Sequence, residues 1–159
     1  MLYYSLIKHN VTGENKMNKG ENFHTFKGYQ LINNDDLTPA MEDYLEMIHR
    51  IEKSSSVVRI KNLSESLNVK PSSTSKMIHH LKSLGYVDFK KYGYISLSEK
   101  GNKIGEFLIL RHNVLYQFFK NLTSRDDVLE MVEKIEHFID PETVKEFQLL
   151  NEKLTKEQK

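Results

Sequence analysis

The sequence predicts a mainly α protein with a small β-wing, a winged helix-turn-helix followed by a helical second half. Three observations carry this. Two short amphipathic segments flank the turn Asn68-Val69-Lys70 and lead into an alternating stretch with a Lys-Lys-Tyr-Gly tip. Apolar residues recur at helical spacing on either side of that unit. Charge is unevenly spread: the 159 residues sum to +1, but residues 53–112 carry +7, residues 1–52 carry −3 and residues 121–159 carry −4. A basic middle between acidic ends points to a polyanion partner for the middle alone.

Residues 1–36 read as a flexible N-terminal extension. VTGENKMNKGEN at 11–22 is polar with two Gly and no apolar period. Met17 is an alternative start, and the aromatic-rich 23–31 could dock on the body. Order begins at Leu37-Thr38-Pro39, where Thr38 is a good N-cap and Pro39 a good first helical residue. Met41, Tyr44, Leu45, Ile48 and Ile51 then set a helix over about 39–53. Its Asp43 and Glu46 are neighbours at i and i+3. Glu46 and His49 have the spacing used in di-iron bundles, but no second such pair exists, so that match is accidental.

After the turn SSSVV, a second helix is expected over about 60–67 with Ile60, Leu63 and Leu67 inward. Pro71 opens a third over 71–84 with Met77, Ile78, Leu81 and Leu84 inward, and Val69 joins the shared core. The third helix starts with Ser72, Ser73, Thr74, Ser75 and Lys76. Short hydroxyls and a Lys at a helix start suit a DNA major groove, where the second helix of such a motif meets base edges. Residues 85–97 read as a hairpin, and Lys90, Lys91 and Tyr92 at its tip are placed to reach phosphate or the minor groove. The plain alternatives are a capping run and a solvated turn.

Ser98-x-x-Gly101 caps a long helix over about 98–121 with a broad apolar stripe from Ile104 to Leu122, and His112 lies on it. A helix over about 126–139 follows, then a last one over about 141–154 with Val144, Phe147, Leu150 and Leu154. In the former, Glu133, Glu136 and His137 stand at i, i+3 and i+4, beside a seam of Val132, Ile135 and Phe138/Ile139. Two carboxylates and an imidazole bordering a buried seam suit a hard or borderline divalent cation such as Mn²⁺. A solvated acidic face is the alternative. Cys is absent, which excludes disulfides, thiolate zinc sites and thiol catalysis and is compatible with a cytoplasmic location. No apolar run reaches membrane-spanning length, and the N-terminus has no basic region or cleavage signal of a secretory peptide.

Five segments in order, TPAMEDYLEMI, VKPSSTSKMIHHLKSLGYV, KKYGYISLSEKG, LRHNVL and VEKIEHFI, resemble the diphtheria-toxin-repressor (DtxR/MntR) family of metal-dependent transcriptional regulators, and its manganese-responsive branch in particular. The resemblance spans about residues 37–150. It implies a winged helix-turn-helix DNA-binding domain at 37–98 and a helical metal-binding and dimerisation domain at 99–159. It also implies a homodimer on a palindromic double-stranded operator and repression of manganese-uptake genes. The implied metal ligands are Asp43, Glu46, His112, Glu133, Glu136 and His137. They would take two Mn²⁺ per subunit, with Zn²⁺, Fe²⁺, Co²⁺ or Cd²⁺ as substitutes. Iron-responsive relatives tend to carry Met at the position of Asp43 and to use a Cys ligand. This chain departs from its relatives in the N-terminal extension, in His49 and in a short last helix. Two other functions fit the residues: a metal-independent winged-helix regulator, and a binuclear metallohydrolase.

Overall fold

The structure, a computed structural model, describes residues 37–54 and 57–157. The extension 1–36, with Met17, lies outside the described residues, as do Ser55, Ser56 and the side chain of Lys91. Helix α1 runs Pro39–Lys53, α2 Ile60–Ser66 and α3 Pro71–Ser83. Strands β1 Val87–Phe89 and β2 Ile95–Leu97 follow, joined through a 3₁₀ turn at Lys91–Gly93. Helix α4 runs Glu99–Thr123, α5 Leu129–Ile135, then a 3₁₀ turn Glu136–Phe138 and α6 Pro141–Glu157. Among the described residues no helix is long and apolar enough to cross a membrane.

The helix-turn-helix is shaped by two matching helix ends. After α2, Asn68 takes φ 52° and the Val69 amide donates to Ser64 O at 3.0 Å. After α3, Gly85 takes φ 78° and the Tyr86 amide donates to Leu81 O at 3.0 Å. Each is a left-handed stop that satisfies a terminal carbonyl, and each uses a residue type that tolerates that conformation. Leu45, Ile48, Leu63, Ile78 and Leu81 are fully buried between α1, α2 and α3. Thr74 is buried with them, its hydroxyl 3.2 Å from Tyr44 Oη, so it faces the core and not the groove. Val69 and Leu84, expected inward, are exposed, because the left-handed residues beside them swing the chain out of the core.

The hairpin pairs Val87 with Leu97 and Phe89 with Ile95. Its β2 edge is also engaged, with the Ile95 amide donating to Val58 O at 3.0 Å and the Leu97 amide to Glu52 Oε1 at 3.3 Å. Ser98 caps α4 by accepting from the Gly101 amide at 3.0 Å, while its hydroxyl donates to Gly85 O at 2.7 Å. The start of the long helix is thus stitched to the end of α3.

Helix α4 packs on α1 near its start and on α6 further along. Gly105 makes the first contact possible, since a Cβ there would lie 2.8 Å from His49 Cβ. Leu108, Val114, Leu115, Val128, Val132 and Val144 form the second core, and Phe118 meets Phe147 at 4.5 Å between ring centres. Leu122, Phe138 and Leu150, expected in the apolar stripes, are exposed.

The helix expected over 126–139 is shorter at both ends. Asp126 and Asp127 precede it and pair with Lys120 and Arg125. It tightens to 3₁₀ at Glu136, so Glu133 lies on α5 and Glu136 and His137 on the turn that closes it. A 3₁₀ turn advances 120° per residue, not 100°, so the three no longer share one regular helix face.

Candidate metal centre and nucleic-acid interface

Asp43, Glu46, His112, Glu133, Glu136 and His137 all line one open cleft of ≈ 550 Å³ where α1, α4 and the α5 turn meet. Met47, Arg50, Leu67 and Lys134 complete much of the wall. The side chains pair across it. His112 Nδ1 is 2.9 Å from Glu136 Oε2, both buried. His137 Nε2 is 3.2 Å from Asp43 Oδ1, and its Nδ1 is 2.8 Å from Glu42 Oε2. Glu46 is held by Arg50 one turn along α1, at 2.5 Å. Glu133 is exposed on the rim.

These pairs set the proton affinities. The hydrogen bond to Glu136 holds the His112 ring more basic than usual, against the opposing effect of burial. Burial works against a charged His137 too, but hydrogen bonds and charge from Asp43 and Glu42 outweigh it and push its pKa up to about 9. Each ring therefore holds a proton more tightly than a free imidazole does.

Among the described residues no three His, Asp or Glu side chains already surround one point at coordination distance. The donor set nevertheless fits a divalent cation. Four carboxylates and two imidazoles with no sulfur suit hard to borderline ions, although intrinsic affinity rises from Mn²⁺ towards Cu²⁺ and stays high at Zn²⁺. Each ring is aimed at a carboxylate that a cation and a proton would compete for.

Two charged residues at this site escaped the sequence reading. Glu42 accepts from Arg111 Nη2 at 2.7 Å as well as facing His137, and the Arg111 side chain is only 3% exposed. The available signals were the i, i+4 relation of Glu42 to Glu46 and the adjacency of Arg111 to His112.

In the helix-turn-helix, Ser72, Ser73 and Lys76 are exposed on α3 and Ser75 is half-buried. Lys90 is exposed, and Tyr92 projects from the wing tip at 85% exposure with φ 64°. Arg59 stacks 4.8 Å over the Tyr94 ring and donates to its hydroxyl, adding a cation beside the wing.

Comparison with known proteins finds two family models in order along the chain. The iron dependent repressor N-terminal DNA-binding domain matches residues 36–95, and the iron dependent repressor metal-binding and dimerisation domain matches residues 98–158. The HTH-type transcriptional regulator MntR of Oceanobacillus iheyensis is 40% identical over 103 residues, 64% of this chain and 70% of that protein. The protein of the same name from Geobacillus kaustophilus is 38% identical over 103 residues, 64% of this chain and 73% of that one. Among solved structures, the manganese regulator SloR superposes with a TM-score of 0.64 at 25% identity, covering 72% of this chain and 55% of that one. T. acidophilum IdeR gives a TM-score of 0.61 at 25% identity, covering 67% and 51%. This chain thus spans about half the length of those two structures. DNA-binding and metal-binding matches meet at the start of α4, and relatives share their sequence across that joint; the chain belongs to the iron-dependent-repressor (DtxR/MntR) family of metal-dependent, DNA-binding transcriptional repressors.

Proposed function

We propose that this protein is a Mn²⁺-activated repressor that acts as a homodimer on a palindromic operator and controls manganese-uptake genes. The observation that carries it is the gathering of all six expected ligands around one cleft between α1 and the α4–α5 elements. Asp43, Glu46, His112, Glu133, Glu136 and His137 would hold the metal, as two ions per subunit. When bound, the ions would supply positive charge that offsets the four carboxylates. Zn²⁺, Fe²⁺, Co²⁺ and Cd²⁺ are alternative occupants of the same donor set. The DNA-reading part is 37–98 and the metal-binding and dimerisation part 99–159.

The residues on α1 do the coupling. Asp43 and Glu46 face the cleft, while Tyr44, between them, hydrogen-bonds Thr74 on α3. Fixing α1 against α4 therefore fixes the reading helix relative to the dimer. Two reading helices must enter successive major grooves about 34–36 Å apart, so a loose α1 costs operator affinity. Ser72, Ser73, Ser75 and Lys76 meet the groove, and Lys90, Lys91 and Tyr92 the flanking backbone. Linkage requires operator DNA to tighten metal binding by the same factor.

The test is operator binding by the full chain with Mn²⁺ and with chelator. Binding only with Mn²⁺ is expected, and it should be lost in Glu133→Ala and His137→Ala. Equal binding in chelator would indicate a metal-independent regulator. Hydrolytic turnover of a phosphoester by the Mn²⁺ form, without specific DNA binding, would indicate the metallohydrolase.

A further inference from the structure

Glu42 is where three elements meet, although it is not among the expected ligands. Its Oε2 accepts from Arg111 Nη2 of α4 at 2.7 Å and lies 2.8 Å from His137 Nδ1 on the α5 turn. Arg111 is 3% exposed, and its Nε is without a partner among the described residues. A buried guanidinium is tolerated when a carboxylate answers its charge, and the carboxylate hydrogen-bonded to it here is Glu42.

The arrangement also distinguishes the two nitrogens of His137. A neutral imidazole donates from one nitrogen and accepts at the other. Nδ1 has two neighbours: the Glu42 carboxylate, which only accepts, at 2.8 Å, and the Arg111 guanidinium, which only donates, at 3.3 Å. The shorter contact puts the hydrogen on Nδ1. Nε2 faces Asp43, one of the expected ligands, 3.2 Å away, and is the nitrogen that a cation in the cleft would take. Histidines that bind metals are characteristically held in this way, with the other ring nitrogen donating to a carboxylate.

We propose that Glu42, held by Arg111, is a positioning residue of the metal centre: it fixes the orientation of the His137 ring. Arg111 acts through Glu42. The inference rests on His137 being a metal ligand.

The test is calorimetric titration of the metal-free full chain with Mn²⁺, without DNA, on variants whose helical content matches wild type. Glu42→Gln and Arg111→Met should each weaken Mn²⁺ binding about tenfold, at the lower end of the effect of such supporting residues. The double variant should be no weaker than the weaker single variant, because both changes break one chain of contacts. Arg111→Lys, which keeps the charge, should recover most of the affinity. Wild-type affinity in Glu42→Gln, or additive losses of about 100-fold in the double variant, would overturn the proposal. If Arg111→Met does not fold, the Mn²⁺ affinities of Glu42→Gln and Glu42→Ala decide. Loss of Mn²⁺ affinity of about tenfold or more in both supports the proposal, and wild-type affinity in either overturns it. A His137→Ala protein that binds Mn²⁺ like wild type would instead overturn the ligand reading, so the two failures are distinct.

Discussion

His137 is bracketed by two carboxylates from α1, and its pKa pushed up to about 9 has a readable consequence. The protonated ring stabilises the metal-free fold fully below the ordinary value of 6.5, and that contribution fades as pH climbs through about 9. A metal ion needs the neutral ring and must expel this proton across the same window. Apparent Mn²⁺ affinity should therefore rise between pH 6.5 and 8.5, by roughly tenfold per pH unit for each proton released. Over the same range the melting temperature of the metal-free protein should fall. Calorimetry in buffers of different ionisation enthalpy counts the protons, and a pH-independent affinity would contradict the assignment. Asp43 offers a second check at this scale. Replacing its hard oxygen by a thioether in Asp43→Met should move the response from Mn²⁺ towards Fe²⁺, read as a shift in the two activation curves of DNA binding.

At the scale of elements, the α1–α4 crossing depends on a missing side chain. A Cβ on residue 105 would sit 2.8 Å from His49 Cβ and 3.0 Å from its Nδ1, and His49 is itself buried. Gly105→Ala should cost about 1–3 kcal/mol through overpacking, seen as a melting temperature lower by several degrees. It should also weaken Mn²⁺ binding, since Asp43 and Glu46 ride on the displaced helix. An unchanged melting curve would contradict so close a crossing. The order of elements and their types were legible, because α1, α3 and α4 carry strong periodicity and clear stops at Asn68, Gly85 and Ser98. The early tightening at Glu136 was not. VEKIEHF keeps a helical period with no Gly or Pro before Pro141, so nothing local marks the change. Spacing and resemblance pointed to six residues that line one cleft, whereas the Glu42–Arg111 pair joins residues 69 positions apart and has no local signature. Thr74 was read with the hydroxyl run that suits the groove, and only the position of Tyr44 shows that it points inward.

For the whole molecule, two cores and one shared cleft mean that a metal ion bound there would orient parts that already fold. Leu63, Ile78 and Leu81 are buried in the first core, and Leu115, Val132 and Val144 in the second, away from any need for a cation. In chelator the protein should keep its helical content and its dimer while losing operator affinity. Unfolding on metal removal, followed by circular dichroism, would rule this out. A single copy leaves Leu122, Leu149 and Leu150 more than two-fifths exposed in the region matched by the dimerisation model. Leu122→Glu should therefore shift the protein towards monomer in sedimentation without loss of helix.

The wing has a further property. A two-stranded hairpin alone is marginal in water, yet here β2 lies between β1 and the Val58 segment, with Glu52 capturing its last amide. Its ordering cost is incurred when the chain folds and not when DNA is met. Contact by Lys90 and Tyr92 with a duplex should then lose little conformational entropy, as for any preorganised binding element. Glu52→Ala would return that cost to the binding step: the fold would survive, and DNA association would acquire a larger entropic penalty with the protein–phosphate contacts themselves unchanged.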